Sequence, residues 1–156
     1  FNAVGPERPD PDFVGYSHVI PDLILKMHNG QGTPENPLEL LGDGLQVRHY
    51  TDVREIAEGL LIAMHDPEGV NNDFNVAIEK GHNVIEVAKL ICSCLRPGED
   101  LTIKSVEGLP NDVKHRSPNI DKLLNMCGWK SKNTLEDIMP ELIENVLGLL
   151  ETNETN

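Results

Sequence analysis

The sequence predicts a small α/β domain in which a mixed sheet is flanked by helices. Short extended apolar runs alternate along the chain with longer segments whose apolar residues recur at helical spacing. Clusters of glycine and proline separate these segments. The chain has 156 residues, of which 38% are hydrophobic, so one domain can bury about two thirds of its unfolded surface. We predict this domain over residues 1–150 and a frayed tail over residues 151–156.

The first third of the chain contains two predicted strands and one helix. Phe1–Gly5 is typical of a strand end that runs into a turn, and a proline-rich loop follows it. Ser17 can cap a helix that ends near Asn29. Leu38–Leu41 is predicted as a short strand and Gly42–Gly44 as a turn. The apolar face of this first helix consists of Val19, Ile20, Leu23, Ile24 and Met27.

The middle third is predicted to contain two helices with extended segments before them. Gln46–Tyr50 is extended, and either Thr51 or Asp52 caps the second helix. Asp73–Ile78 is predicted as a strand, and Asn83 caps a third helix. The apolar residues of the second helix recur at the spacing of an inner face: Val53, Ile56, Ala57, Leu60, Leu61 and Met64.

The last third contains one predicted strand and two helices. Leu101–Val106 begins with the alternation of a strand, and Ile120–Met126 is a short helix. The final helix opens at Asn133 or Thr134, each of which has an acid three residues later, as in a capping box. It runs to the end of the predicted domain. Trp129 is expected to pack between the last two helices.

Charge and cysteine content exclude several classes of protein. A net charge of −13 disfavours binding to nucleic acids and to anionic membranes. The longest apolar run is too short to span a bilayer. Three cysteines, an odd number, without a secretory signal indicate reduced thiols and a cytoplasmic location. Cys92 and Cys94 could form a metal pair, but small side chains filling a helix surface are the simpler interpretation.

Catalytic chemistry is not visible in the sequence. The glycines form no Gly-x-Gly-x-x-Gly phosphate loop, and no serine or cysteine lies in a nucleophile motif. The six histidines do not have metal-ligand spacing. We therefore predict no catalytic residue, no cofactor-binding residue and no metal site in this chain, which by itself should be inactive and should bind no cofactor.

Two arginines in predicted loop or extended segments suggest an anion site. Arg48 follows the Gly-Asp-Gly turn, and Arg116 lies in a polar loop beside Lys114 and His115. A guanidinium group donates two parallel hydrogen bonds, which suits a phosphate. The alternative is that both arginines form surface salt bridges with some of the 26 acidic residues.

Five stretches, in order, resemble C-terminal motifs of the extended short-chain dehydrogenases that modify nucleotide sugars. These NAD-dependent enzymes include epimerases, dehydratases and decarboxylases. The most specific stretch has a strand, a Gly-Asp-Gly turn and an Arg-x-aromatic. The stretches are Phe1–Pro6, His18–Pro21, Leu38–Tyr50, Val53–Gly59 and, taken together, Asn111–Lys122 with Gly128-Trp129 and Thr134–Asp137.

The resemblance implies a C-terminal substrate domain that lacks the Rossmann half and a role for three residues near the ligand's diphosphate. Asn2 would bind the sugar or the diphosphate through its side-chain amide. Arg48 and Arg116 would hold the diphosphate. For Asn2 the alternative is a side chain that only satisfies backbone groups at a turn.

The resemblance also implies three residues around the rest of the ligand. His18 would hydrogen-bond the ligand, or else face solvent at the start of a helix. Leu40 and Leu41 would flank the nucleobase, or else belong to the core. Leu41 stands where many relatives have an aromatic residue that stacks on the base, so the identity of the base stays open. Val4 stands where relatives have a tyrosine that packs near the cofactor domain.

The resemblance places the cofactor loop and a catalytic Tyr-x-x-x-Lys pair before the motif that here starts at Phe1. We therefore expect a fragment that grips a nucleotide-diphosphate sugar while a missing Rossmann half supplies NAD and the catalytic pair. The expected partners are that sugar and either the missing half or a second copy of the chain. The alternative functions are a non-catalytic nucleotide-sugar-binding module and an interaction protein that binds no ligand.

Overall fold

The computed structural model describes residues 2–6, 18–108 and 110–153, which form two compact units. The first unit comprises Phe1–Gly5, Val47–His82 and His115–Ile138, and the second comprises Pro6–Gln46, Asn83–Lys114 and Met139–Asn156. The helices are α1 (Val19–His28), α2 (Val53–His65), α3 (Val84–Leu95), α4 (Asp121–Cys127) and α5 (Leu135–Asn153). The strands are β1 (Asn2–Val4), β2 (Leu38–Leu41), β3 (Val47–Arg48), β4 (Tyr50–Asp52), β5 (His82–Asn83) and β6 (Ile103–Val106).

A parallel strand pair forms the centre of the first unit. Strands β1 and β4 are paired from Asn2 opposite Tyr50 to Val4 opposite Asp52. Strand β4 runs directly into α2, and the Asp52 carboxylate caps that helix by accepting the Arg54 backbone N–H at 2.9 Å. Of the two predicted caps, Asp52 is therefore the correct one. The hydroxyl of Thr51 instead accepts the backbone N–H of Ile78 at 3.0 Å.

The predicted strand over Asp73–Ile78 is wrong, because the structure assigns no strand to these residues. Polar side chains take the place of a strand partner at two points of this segment. The Ile78 N–H donates to the Thr51 hydroxyl, and the Asn75 amide donates to the Asn119 carbonyl oxygen at 2.8 Å. The end of the segment is nevertheless buried at Ala77 and Ile78.

Helix α2 is oriented differently from the sequence expectation. The buried residues of this helix are Glu55 and Gly59. The side chains at the spacing of the predicted inner face are largely exposed, and Met64 retains 76% of its accessible surface. An apolar stripe therefore faces solvent, which is unusual because a helix normally buries such a stripe. We call these residues the α2 stripe: Val53, Ala57, Leu60, Leu61 and Met64.

The other face of α2 packs closely on Trp129, which is 6% exposed. A Cβ atom at Gly59 would lie 3.0 Å from the Trp129 ring and 2.7 Å from Val76. The glycine therefore lets the helix backbone approach the indole. The indole N–H also donates to the Glu58 carboxylate at 3.4 Å. Trp129 is thus an anchor for α2, although the sequence predicted a place between the last two helices.

The second unit places helices beside a second parallel strand pair. Strands β2 and β6 are paired from Leu38 opposite Ile103 to Leu41 opposite Val106. Helix α1 packs on α3, and their buried side chains form much of the core of this unit: Ile20, Leu23, Ile24, Met27, Val84, Val87, Ala88, Ile91 and Cys92. The predicted strand Leu38–Leu41 is confirmed, and the strand predicted from Leu101 begins at Ile103.

Side-chain caps explain where two of three helices begin. Asn83 and Glu86 form the complete capping box of α3, which confirms the predicted cap. Helix α1 begins at Val19 with His18 at the cap position, and the His18 side chain makes no capping hydrogen bond. The predicted cap Ser17 lies outside the described residues. Before α5, the Thr134 hydroxyl accepts the Asp137 N–H at 3.3 Å, and the Asp137 carboxylate accepts the Thr134 N–H at 2.8 Å.

The expectation of one small mixed sheet needs correction. Within the described residues, the strands form short pairs, and both pairs with a complete register are parallel. Which strands pair depends on contacts between distant residues, so the periodicity of the sequence does not determine the pairing. Across residues 2–6, 18–108 and 110–153, no helix combines the length and apolarity needed to cross a membrane.

Candidate functional site

The two arginines of the predicted anion site are neighbours in the first unit. Val47 and His115 form a parallel β-bridge. Two residues further along, the ring of His49 and the hydroxyl of Ser117 are in contact, with 3.2 Å between Nε2 and Oγ. Arg48 and Arg116 lie between these two contacts, one on each chain segment. They therefore occupy the same register position on two adjacent segments.

Adjacent like charges make this position suited to an anion. Two cations directly opposite each other on neighbouring strands repel, and a bound phosphate removes that cost. Arg48 is half-buried, and its guanidinium donates to the carbonyl oxygen of Val47 at 2.8 Å. Arg116 is exposed, and within the described residues it has no hydrogen bond or ion pair. Among the described residues, Arg116 therefore lacks the acidic partner that the alternative of a surface salt bridge requires.

Asn2 lies on the strand next to this pair. Its backbone N–H donates to the carbonyl oxygen of His49 at 3.1 Å, and the residue faces Tyr50 across the β1–β4 pair. These bonds use the backbone of Asn2. The first unit thus brings together three of the predicted site residues, Asn2, Arg48 and Arg116, around one short segment.

The other three predicted site residues belong to the second unit. Leu40 is 4% exposed and packs in the core beside Gly44 and Ile85, which agrees with the alternative prediction for its side chain. Leu41 is 52% exposed at the end of β2. His18 is exposed, and its carbonyl oxygen accepts the backbone N–H of Asp22 in the first turn of α1.

Lys114, which precedes Arg116 by two residues, has a different role. It belongs to the second unit and forms an ion pair with Asp43 in the Gly-Asp-Gly turn. The hydrogen bond from Lys114 is the main reason that the pKa of Asp43 is lowered, and the Leu45 N–H adds to this effect. The Gly-Asp-Gly turn therefore carries an acid that is already matched by a lysine.

A buried carboxylate in the first unit was not identified from the sequence as a structural centre. Glu55 is 8% exposed. It accepts hydrogen bonds from the Ser131 hydroxyl at 2.5 Å and from the backbone N–H groups of Lys132 at 2.7 Å and Asn133 at 3.2 Å. Asn133 also donates through its amide to Asp52 at 3.0 Å. Glu55 therefore anchors the segment before α5, a role that a helix-start acid alone would not indicate.

Tyr50 has a buried hydroxyl with no hydrogen-bond partner among the described residues. The residue is 3% exposed. Burial raises the pKa of Tyr50 to about 12, although the positive charge of Arg48 acts in the opposite direction. A buried hydroxyl without a hydrogen-bond partner destabilises the folded state compared with a hydrogen atom at the same ring position.

Replacing Tyr50 with phenylalanine is expected to raise the free energy of unfolding by about 1 kcal/mol at pH 7, because the unsatisfied hydroxyl is removed. The difference should grow at alkaline pH. The unfolded tyrosine ionises near pH 10 and the folded one near pH 12. Because ionisation then favours the unfolded state, the free energy of unfolding of the unaltered chain falls by about 2 to 3 kcal/mol as pH rises through this window. Urea unfolding of both proteins from pH 7 to 12 measures this, and parallel pH profiles would contradict it.

The predicted absence of metal and NAD sites stays a prediction. The described residues contain no cluster of three or more histidine, cysteine or acidic side chains that could hold a metal ion. Cys92 is buried in α3 and Cys94 is exposed, as expected for two side chains on different faces of a helix. The sequence has no glycine-rich dinucleotide loop.

The fold and the motifs together relate this chain to a known family. Residues 1–77, just under half of its length, match the NAD dependent epimerase/dehydratase family. The described α/β arrangement matches solved epimerase and dehydratase structures. The chain is therefore related to the nucleotide-sugar enzymes, as its sequence motifs predict.

The curated relatives that match this chain are named as enzymes of UDP sugars. A trifunctional UDP-glucose 4,6-dehydratase, 3,5-epimerase and reductase of Arabidopsis thaliana is 31% identical over 120 residues, which is 76% of this chain and 17% of the relative. UDP-glucuronic acid decarboxylase 6 of the same plant is 27% identical over 92% of this chain and 38% of the relative. The chain thus spans well under half the length of these curated relatives.

Solved structures support the fold. UDP-glucose 4-epimerase of Thermotoga maritima, solved with UDP-glucose, aligns with a TM-score of 0.77 and 27% identity over 96% of this chain and 44% of the epimerase. UDP-glucuronic acid 4-epimerase of Bacillus cereus, solved with UDP-glucuronic acid and NAD, aligns with a TM-score of 0.76 and 19% identity over the same shares of the two chains.

Proposed function

We propose that this chain binds the diphosphate of a nucleotide sugar through Arg48 and Arg116. The observation that carries the proposal is their side-by-side placement between the Val47–His115 bridge and the His49–Ser117 contact. Asn2, one strand away, supplies a polar side chain for the diphosphate or the sugar. Since the curated relatives modify UDP sugars, UDP is the nucleotide to test first.

Two other functions are alternatives to the role of a substrate-binding part of an enzyme. The first is a non-catalytic module that binds nucleotide sugars, and the second is an interaction protein that binds none. The arginine pair favours a ligand-binding role over the interaction protein, because two guanidinium groups at one register position suit a phosphate.

Calorimetric titration with UDP tests the proposal. The unaltered chain should bind UDP, and the double variant Arg48→Ala, Arg116→Ala should bind it at least about 100-fold more weakly, because each charge-assisted hydrogen bond contributes about 1.5–3 kcal/mol. Parallel titrations with UDP-glucose, UDP-glucuronate, dTDP-glucose and GDP-mannose would identify the preferred base and sugar.

A matched control removes two other positive charges from the same unit. Lys80 and Lys122 are exposed and pair with Glu136 and Asp73, so the variant Lys80→Ala, Lys122→Ala has the same net charge as the arginine variant. It should bind UDP within a few fold of the unaltered chain. Equal losses in both variants would indicate a general charge effect and count against a specific clamp. No binding to any nucleotide sugar would favour the interaction protein.

The second part of the proposal is that catalysis requires a cofactor-binding portion that contacts the α2 stripe. Two features support this partner. A two-stranded parallel pair such as β1–β4 is rarely stable alone, and parallel sheets normally have both faces covered. The α2 stripe is an apolar surface of the kind that marks an interface. A partner with a parallel α/β sheet would extend the strand pair and bury the stripe together.

Charged substitutions in the α2 stripe test this part. One portion of Arabidopsis UDP-glucuronic acid decarboxylase 6 lies outside its match to this chain. We expect the chain to associate with that portion when the two are co-expressed. The variant Leu60→Lys, Met64→Lys should abolish that association in co-purification and sedimentation. The control variant Leu45→Lys, Val70→Lys changes two exposed apolar residues elsewhere and should not. Association of the chain with itself through the same residues would instead support a second copy as the partner.

A further inference from the structure

We propose that His49 is a positioning residue that holds Arg116 beside Arg48, and that Ser117 is its hydrogen-bond partner in this role. The inference rests on the proposed diphosphate site and adds residues to it that do not themselves touch the ligand. His49 is a buried histidine, 5% exposed, whose ring connects three separate chain segments of the first unit.

The protonation of the His49 ring follows from its partners. Nδ1 lies 3.0 Å from the carbonyl oxygen of Ile78, and a carbonyl oxygen can only accept, so Nδ1 carries the proton and donates. In the neutral ring Nε2 is then an acceptor. The hydroxyl of Ser117, 3.2 Å away, therefore donates to Nε2. Both ring nitrogens are used, and the ring orientation is determined.

The environment of the ring leaves it little freedom to move. A Cβ atom at Gly81 would lie 3.0 Å from Nε2 of His49 and 2.7 Å from a methyl group of Val47. The absence of a side chain at Gly81 therefore makes room for the ring at the position where it contacts Ser117. This packing supports the hydrogen bonds as a built arrangement.

The consequence concerns the segment that carries Arg116. This segment is held at His115 by the β-bridge to Val47 and at Asn119 by the Asn75 amide. Between these points, the residue after Arg116 makes a contact across to the segment of Arg48: the Ser117 hydroxyl reaches the His49 ring. Because the hydroxyl next to Arg116 is fixed by the buried His49 ring, the His49–Ser117 bond keeps the segment of Arg116 in place for the ligand.

The clearest test removes one exposed hydroxyl. In Ser117→Ala, the affinity for UDP should fall about fivefold, the effect of one hydrogen bond, and the urea midpoint of unfolding should fall modestly, because Nε2 of the buried His49 ring loses its donor. Ser117→Thr should restore the affinity, because it keeps the hydroxyl. His49→Asn, whose amide can still donate to Ile78, should lower the affinity to the same extent, and combining it with Ser117→Ala should cause no further loss. Ser93→Ala, which removes an exposed hydroxyl from α3, is the control.

A double-mutant cycle separates positioning from a merely structural role. In the Arg116→Ala background, Ser117→Ala should have no effect on UDP affinity, whereas in the Arg48→Ala background it should keep its fivefold effect. Unaltered affinity in Ser117→Ala, or equal effects in both backgrounds, overturns the inference while the arginine clamp stands. Absence of UDP binding by the unaltered chain overturns the proposed site itself and this inference with it.

Discussion

Replacing Glu55 with alanine is expected to lower the free energy of unfolding by about 3–5 kcal/mol, because the partners of a buried charge would be left without an acceptor. Its carboxylate accepts the hydroxyl of Ser131 and the N–H groups of Lys132 and Asn133. These residues lie just before the α5 cap, so the start of that helix should lose protection in amide hydrogen exchange together with the global loss in urea unfolding.

Two variants make this result specific. Glu55→Gln keeps one oxygen acceptor, so it should be destabilised less than the alanine variant. Glu58→Ala removes an exposed acid from the same helix, whose contact to Trp129 is 3.4 Å long, and should cost less than about 1 kcal/mol. Similar losses for Glu55→Ala and Glu58→Ala would contradict the role assigned to Glu55.

Replacing Trp129 with alanine is expected to cost about 3–5 kcal/mol, the usual range for a buried tryptophan. The indole is 6% exposed and lies against the backbone of α2 at Gly59. Its loss leaves a cavity that the glycine cannot fill, because it has no side chain. Thermal or urea unfolding followed by circular dichroism measures the effect.

Phe74 provides the aromatic control in the same unit. It is half-buried, with the Lys122 ammonium 5.1 Å from its ring centre, so Phe74→Ala should destabilise much less than Trp129→Ala. A second variant checks the close packing itself. Gly59→Ala should destabilise in the native sequence and less so in the Trp129→Ala background, since one of its two steric conflicts is then gone. Independent effects of the two substitutions would rule out that contact.

Helices were predicted more successfully than strands. The expected helices α1 to α5 all form, and the cap Asn83 is the predicted one. Their signals are local, since capping residues and apolar spacing act within a few positions. The predicted strand at Asp73–Ile78 failed because its backbone groups find side-chain partners such as Thr51, and those partners are not adjacent in the sequence.

The candidate site stays a prediction, and the structure adds how its residues are arranged. The sequence suggested Arg48 and Arg116 as one anion site, and their shared register position depends on the bridge between Val47 and His115. His49 was not recognised, although it follows Arg48 just as Ser117 follows Arg116. That repeated order was the available signal, and it has meaning only once the two segments are known to be parallel.

The sequence by itself determined the α/β class, the helices, the cap of α3, the acidic surface and the relation to nucleotide-sugar enzymes. These properties depend on composition, on short-range periodicity and on motifs that are contiguous in the chain. The tertiary structure alone decided which strands pair, which face of α2 is buried, and that the two arginines are neighbours. Each of these depends on packing between residues far apart in the sequence, such as His49 and Ser117, which are separated by 68 positions, and local preferences carry no information about such contacts.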